Sequence, residues 1–264
     1  MKKILAICSS PDQGGLELYF ISLINYFSDK GNIYTATRSN SFISNKIQTQ
    51  SVSIKKNSFF NIFHNVKKIL NFVAENDIDI IHVSWAKDLL LSALVKKFST
   101  RNLKIIYYRQ MKLTRKKNDL YHRFIYNKID HVLAITKKLS LECNKYLPLE
   151  PNQINILKYG IKNYDNKNFS KDEIFKRFDL DKSKFTIGVF SRIEEQKGQH
   201  LVLNSIRKSK HEIQLFIIGH TIDVKYKDML EKIANDNKLS SKLKFVDFVK
   251  SPMSYMPCFD LIIL

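Results

Sequence analysis

Short apolar, β-rich runs alternate with longer segments of helical period along nearly the whole chain, and this alternation narrows the fold more than any other feature. Ile4–Cys8 (ILAIC) reads as a strand, and Leu16–Phe27 as a helix with Leu16, Phe20, Leu23, Ile24 and Phe27 along one side. Asn32–Thr37 is a second strand, Phe59–Ala74 an amphipathic helix, Ile78–Val83 a strand and Lys87–Phe98 another helix. Leu103–Tyr108 and His131–Ile135 are further strands, separated by a basic segment that contains aromatics. Strands parted by helices require right-handed crossovers, so the fold class is α/β with parallel, doubly wound sheets.

The pattern breaks at residues 160–182, which are polar and carry no period-2 alternation, and resumes with the strand Phe185–Phe190 (FTIGVF). Helix Gln199–Arg207, strand Gln214–Ile218, helix Tyr226–Asn235, strand Leu243–Phe245 and a last apolar run Leu261–Leu264 follow. Two Rossmann-like domains are therefore expected, 1–165 and 166–264. The second is expected to be incomplete, because its last buried strand has no following helix to cover it; a fragment or a truncated chain is the expectation.

Of the 264 residues 44% are hydrophobic, which rules out wholesale disorder, and only seven glycines and five prolines occur. Cys8, Cys143 and Cys258 are odd in number and far apart, which fits a reducing compartment better than a disulfide framework or a structural zinc site. Ile4–Cys8 is too short for a signal-peptide core, and no stretch of about 20 apolar residues exists to span a membrane. The formal net charge of +19 is uneven: residues 1–165 carry 26 Lys+Arg against 12 Asp+Glu. Its densest part runs from Lys104 to Lys128, with Tyr107, Tyr108, Tyr121, Phe124 and Tyr126 interleaved.

With glycine so scarce, its placement is informative. Gly14-Gly15 lies between the first strand and the first helix, where open α/β sheets bind ligands and a helix N-terminus favours anions. The pair is not GxGxxG, so an ordinary tight turn stays open as the alternative. The segment Phe190–Gly198 (FSRIEEQKG) leaves the first strand of the second half and runs into a helix. It sets Arg192 and Lys197 at a strand's carboxyl end, where a forked guanidinium and a compact ammonium can hold a diphosphate and offset charge growing on it as it leaves. A solvated turn with incidental charges is the alternative on chemistry alone.

These residues carry a resemblance. FSRIEEQKGQHLVL resembles the G-R-(L/I)-x-x-x-K-G-x-x-x-(L/A)-(L/I) motif of the retaining GT-B glycosyltransferases of family GT4, the glycosyl transferases group 1. In order along the chain, SPDQGGL resembles the family's N-terminal glycine loop, DIIHV its D-(I/V)-(I/V)-H-x strand, ILKYGIK its interdomain strand and LFIIG its L-x-I-x-G strand, while Leu243–Leu264 resembles the stretch before its E-x7-E segment. The resemblance implies a GT-B fold and transfer of a sugar from a nucleotide-diphospho-sugar, with retention and with no metal or other cofactor. It implies Arg192, Lys197 and Gly15 as donor diphosphate-binding residues, and Gly14, Ser191 and Gly219 as nucleotide-binding ones. The chain stops before the E-x7-E segment, so those two glutamates are not among its residues.

The departures are specific. Ser191 stands where the family has glycine, Tyr159 where it has asparagine, and Arg109 where many relatives carry a histidine near the reacting sugar. Arg109 and His82 are the catalytic candidates this leaves; a structural arginine and a core or rim histidine are the plainer readings. Asp77-Ile78-Asp79 and Asp179-Leu180-Asp181 match a metal-binding DxD pattern without neighbouring ligands to complete a site. Lys112, Arg115, Lys116, Lys117 and Arg123 suit an anionic membrane surface, and no nucleic-acid-binding motif accompanies the charge, so nucleic acid is not the expected partner. The expected setting is the cytoplasm, peripheral on the inner face of the membrane, with a glycan or lipid-linked acceptor of lipopolysaccharide, O-antigen or capsule type. A catalytically dead remnant that only binds membrane or acceptor is the alternative.

Overall fold

The computed structural model describes residues 2–58, 60–160, 176, 181, 183–249 and 252–264. The chain divides into two compact units, Met1–Gly160 and Ile161–Leu264.

Unit 1 is built on a seven-stranded sheet. Its elements run β1 (Ile4–Cys8), α1 (Gly15–Ser28), β2 (Ile33–Arg38), β3 (Ser51–Ile54), α2 (Ile62–Glu75), β4 (Ile80–Val83), α3 (Leu89–Phe98), β5 (Lys104–Arg109), α4 (Leu120–Tyr126), β6 (His131–Ala134), α5 (Lys137–Tyr146) and β7 (Ile154–Ile156). The strand order is β3-β2-β1-β4-β5-β6-β7, and every neighbouring pair is parallel. Helices cover both faces. Phe20, Ile21 and Ile24 of α1 pack with Ala6, Cys8 and Ile33 on one side, while Ile62, Val66, Ile69 and Val73 of α2 and Leu91 and Val95 of α3 pack with Leu5, Ile7, Ile81 and Val83 on the other. The α2 residues fall at the three- and four-residue steps that make one helix face, and full burial of each such side chain contributes about 1.5–3 kcal/mol.

Unit 2 holds β8 (Phe185–Phe190), α6 (Gln199–Arg207), β9 (Ile213–Ile218), α7 (Val224–Asp236), β10 (Leu243–Val246) and β11 (Leu261–Ile263). Its order, among the described residues, is β10-β9-β8-β11, again all parallel. Every residue of β9 (IQLFII) is buried, as expected of a strand sandwiched between layers. Leu215 and Ile217 face a cluster with Leu203 of α6 and Leu230 of α7; Phe216 and Ile218 face Tyr255, Cys258 and Phe259. Asp260 ties the start of β11 to β8, accepting from both the N–H and the hydroxyl of Thr186 at 2.8 Å.

Several expected elements move in detail. The helix expected from Lys87 begins as a 3-10 turn, Ala86–Asp88, and becomes α-helical at Leu89. The strand expected over ILKYGIK (156–162) lies earlier, at Ile154–Ile156, and shares only Ile156 with that stretch, of which residues 161–162 lie outside the described residues. Phe59, expected to open α2, also lies outside them; within them α2 starts at Ile62. The basic segment after β5 contains the short helix α4, capped by Asp119, whose carboxylate accepts the His122 N–H at 3.0 Å.

Candidate functional site

Each sheet has one place where the chain reverses its direction of winding, and loops leaving the carboxyl ends of the two strands there diverge and open a crevice. In unit 1 this is between β1 and β4; in unit 2 it is between β8 and β11. Of the expected site residues, Gly14 and Gly15 follow β1 and Ser191, Arg192 and Lys197 follow β8, at these two places; Gly219 follows β9, His82 lies within β4, and Arg109 ends β5.

In unit 2 the pairing of β8 with β9 continues beyond both strands. Ser191 N–H donates to Ile218 O at 3.1 Å, Ile193 N–H to His220 O at 3.0 Å, and the amides of Ile222 and Asp223 both return to Ile193 O at 3.2 Å. The two loops approach so closely at Gly219 that a Cβ there would lie 2.2 Å from Ser191 O, and its φ of 152° is one that side chains rarely adopt. The chain then turns through Glu195–Lys197 and enters α6 at Gly198, whose φ of 68° supplies the left-handed step. The buried Gln199 braces the turn from beneath, its Nε2 donating to Arg192 O at 2.8 Å and to Ser191 Oγ at 3.0 Å, while its buried Oε1 has no partner among the described residues. The result is a rigid backbone that presents Arg192 and Lys197 outward.

Arg192 is already paired. Its Nη2 lies 2.8 Å from Glu194 Oε1, with the arginine side chain 56% exposed and the glutamate 17%. One carboxylate oxygen leaves most of the five guanidinium donors for a second anion, and it holds the fork in place when none is bound. Lys197 is exposed and meets no carboxylate among the described residues.

In unit 1, Gly14 and Gly15 stand at the mouth of α1. The Gly14 N–H is spent on Glu17 Oε2 at 2.8 Å, so this helix N-terminus carries its own buried carboxylate. Gly15 is exposed with open space on its Cβ side. At the other end of the loop, Ser9 and Ser10 are buried, and the Ser9 N–H and hydroxyl both meet the carboxylate of Asp88.

His82 lies in β4 beside Ala6 and Ile106, with its ring centroid 6.1 Å from that of Tyr108. Burial pulls its imidazole down to about 4, so it is neutral at pH 7, and its Nδ1 has no partner among the described residues. Arg109, at the end of β5, turns back on its own loop. Nε donates to Met111 O at 2.6 Å, Nη1 to Tyr107 OH at 2.6 Å and Nη2 to Lys112 O at 2.9 Å. Its nearest geometric role is to fold the segment that follows β5.

Of the five basic residues expected to face a membrane, Lys112, Arg115, Lys116 and Arg123 are exposed, while Lys117 is partly buried. Around them Met111 is 62% exposed, Leu120 87% and Tyr121 53%. The DxD candidates are otherwise engaged. Asp77 pairs with Arg101 at 2.7 Å, and Asp79 with Lys2 at 3.2 Å and the Lys3 N–H at 3.0 Å; Asp179 and Leu180 lie outside the described residues.

Sequence reasoning missed Asp88, Glu17, Asn57 and Gln199. Glu17 carried a signal, three positions after the residue that caps α1. Asp88 carried little, because its partners are 31 and 79 positions away.

Comparison with known proteins agrees with this architecture. Residues 170–264 match the family described as "Glycosyl transferases group 1". The O-antigen biosynthesis glycosyltransferase WclY of Escherichia coli is 23% identical over 99% of this chain and 73% of its own. A glycogen synthase of Mycoplasma mobile is 34% identical over 103 residues, 37% of this chain, and the match spans only 21% of that enzyme. Among solved structures, Anabaena Alr3699/HepE, crystallised with UDP and glucose, superposes with a TM-score of 0.80 at 17% identity, over 99% of this chain and 73% of its own. The chain has the GT-B glycosyltransferase fold, and from residue 170 onward it carries the sequence pattern of the glycosyl transferases group 1.

Proposed function

We propose that this protein is a glycosyltransferase that moves a sugar from a nucleotide-diphospho-sugar to a cell-envelope glycan or lipid-linked acceptor, with retention and without a metal ion. The observation that carries the reading is the Ser191–Gly198 turn. It leaves β8 where unit 2 opens its crevice, it is clamped to the β9 loop at Gly219, and it lies inside the stretch that matches the family. Arg192 and Lys197 grip the diphosphate and offset the charge that accumulates on it as the glycosidic bond breaks, the electrostatic service that other enzymes obtain from a cation. HepE, crystallised with UDP and glucose, supports a nucleotide-sugar donor, and WclY supports an O-antigen type of acceptor. Unit 1 receives that acceptor at the β1–β4 crevice. The exposed Met111, Leu120 and Tyr121 among Lys112, Arg115, Lys116 and Arg123 lay unit 1 on an anionic membrane, each basic group contributing about 1 kcal/mol near the surface.

Calorimetric titration with UDP and UDP-glucose tests the reading. Binding is expected, to persist with EDTA present, and to weaken about tenfold or more in Arg192→Ala and in Lys197→Ala. Absence of nucleotide binding by the wild-type protein would point instead to a chain that only docks on membrane or acceptor.

A further inference from the structure

Three segments of unit 1 meet on one buried carboxylate. Asp88, in the turn after β4, has no exposed surface. Its Oδ2 accepts the Ser9 N–H at 2.8 Å; its Oδ1 accepts the Ser9 hydroxyl at 2.5 Å and an Asn57 amide N–H at 2.6 Å. Asn57, between β3 and α2, is steadied by Asn65 Nδ2, which donates to its Oδ1 at 3.1 Å. Asn65 is itself fully buried in the apolar face of α2 and bonds both the N–H and the C=O of Lys55. A carboxylate out of water is retained only when donors surround it, and here every donor belongs to a segment that follows β1 or β3. The loop that starts at Ser9 ends at Gly14, whose N–H is held by the second buried carboxylate, Glu17; between them the Asp12 N–H donates to Ser10 Oγ at 3.3 Å.

We infer that Asp88 is a positioning residue: by gripping Ser9 through both backbone and side chain it fixes where the Ser9–Gly14 loop departs, and with it the edge that Gly14 and Gly15 present to the hydroxyl-bearing acceptor. The identity of that ligand rests on the glycosyltransferase reading above; the pinning of the loop does not. An uncharged amide at position 88 offers one oxygen in place of two, so it can satisfy Oδ1's partners or the Ser9 N–H but not both.

Wild type, Asp88→Asn and the milder Ser9→Ala are compared in three measurements. Amide hydrogen exchange in the ligand-free protein should quicken about tenfold or more at Ser9, Asp12 and Gly14 in Asp88→Asn, less in Ser9→Ala, with the amides inside β4 and β5 unchanged. UDP affinity should fall less than turnover does, because Arg192 and Lys197, on the unit 2 turn, keep their hold on the diphosphate. Turnover of UDP-glucose, followed as UDP release with octyl glucoside as acceptor, should fall about tenfold in Asp88→Asn. Unchanged loop exchange overturns the inference, as does a loosened loop with undiminished turnover. A wild type that binds no UDP overturns the glycosyltransferase reading instead, and loop exchange then decides the pinning by itself.

Discussion

Replacing Gly219 by alanine puts the close approach of the two unit 2 loops to a quantitative test. The new Cβ would sit 2.2 Å from Ser191 O and 2.8 Å from Ser191 C, where carbon atoms prefer about 3.5 Å. The loops must therefore part by roughly 1 Å. That movement strains or breaks the Ser191–Ile218 and Ile193–His220 hydrogen bonds, 3.1 and 3.0 Å long, each contributing about 1 kcal/mol. A side chain at φ 152° adds about 1–3 kcal/mol of backbone strain. The expected destabilisation is about 3–5 kcal/mol, and UDP affinity falls with it, since Arg192 leaves from the displaced loop. Urea unfolding and UDP titration, run on the same preparations, capture both effects. Gly15→Ala serves as the control, because its Cβ meets nothing within 4 Å, and it should change stability by less than about 0.5 kcal/mol. Equal unfolding midpoints for the two variants, with the UDP affinity of Gly219→Ala at the wild-type level, would refute the reasoning.

Stability should also depend on pH through Asp88. Burial pushes its carboxyl from 3.8 up to about 6, against the Ser9 and Asn57 hydrogen bonds that favour its charged form. A folded value above the unfolded one means the stability it contributes is complete below about pH 4 and is lost as pH rises to about 6, a change of about 3 kcal/mol. Its titratable neighbour Cys8, raised by burial and by the Asp88 and Glu17 charges, stays protonated across that range. Asp88→Asn cannot titrate, so its urea midpoint should gain on wild type between pH 4.5 and 7.5; parallel curves would contradict the shift. Truncating Ile69, fully buried in α2, to alanine should cost about 2–5 kcal/mol in the same assay, and a loss below 1 would mean that the α2 face is not packed as described. Lys112→Glu combined with Lys116→Glu should lower recovery with phosphatidylglycerol vesicles in flotation and leave stability near wild type; unchanged flotation would remove this face from the membrane.

Much of this was legible in the sequence, for reasons that differ from element to element. Strands β1, β4, β5, β8 and β9 announce themselves because each is a short, mostly apolar and largely buried run set between helical segments. Strands β3 (SVSI) and β7 (INI) do not, since four and three residues at the end of a sheet are too few to set a period. Helix α5 (KKLSLECNKY) hides in polar residues because only Leu139 and Cys143 are buried; Thr136 starts it by accepting the Leu139 N–H at 3.1 Å. In the site, Arg192 and Lys197 were readable because one short turn holds both. What each arginine is bonded to was not: Arg192 to Glu194 and Arg109 to its own loop follow from side-chain geometry that spacing does not encode. Asp88 escaped notice for the opposite reason, as one polar residue whose meaning lies in partners on two distant segments.

The strand order of unit 2 also sets a timetable. β8, from which the Ser191–Gly198 turn departs, lies between β9 and β11, and the latter begins 71 positions beyond the end of β8, at Leu261. At about 5–20 residues per second of synthesis, roughly 4–15 seconds separate the two strands. During that interval β8 has one open edge, and Thr186 still waits for the carboxylate of Asp260. The Ser191–Gly198 turn is thus anchored on one side only until β11 is made, whereas all seven strands of the unit 1 sheet precede β8 along the chain.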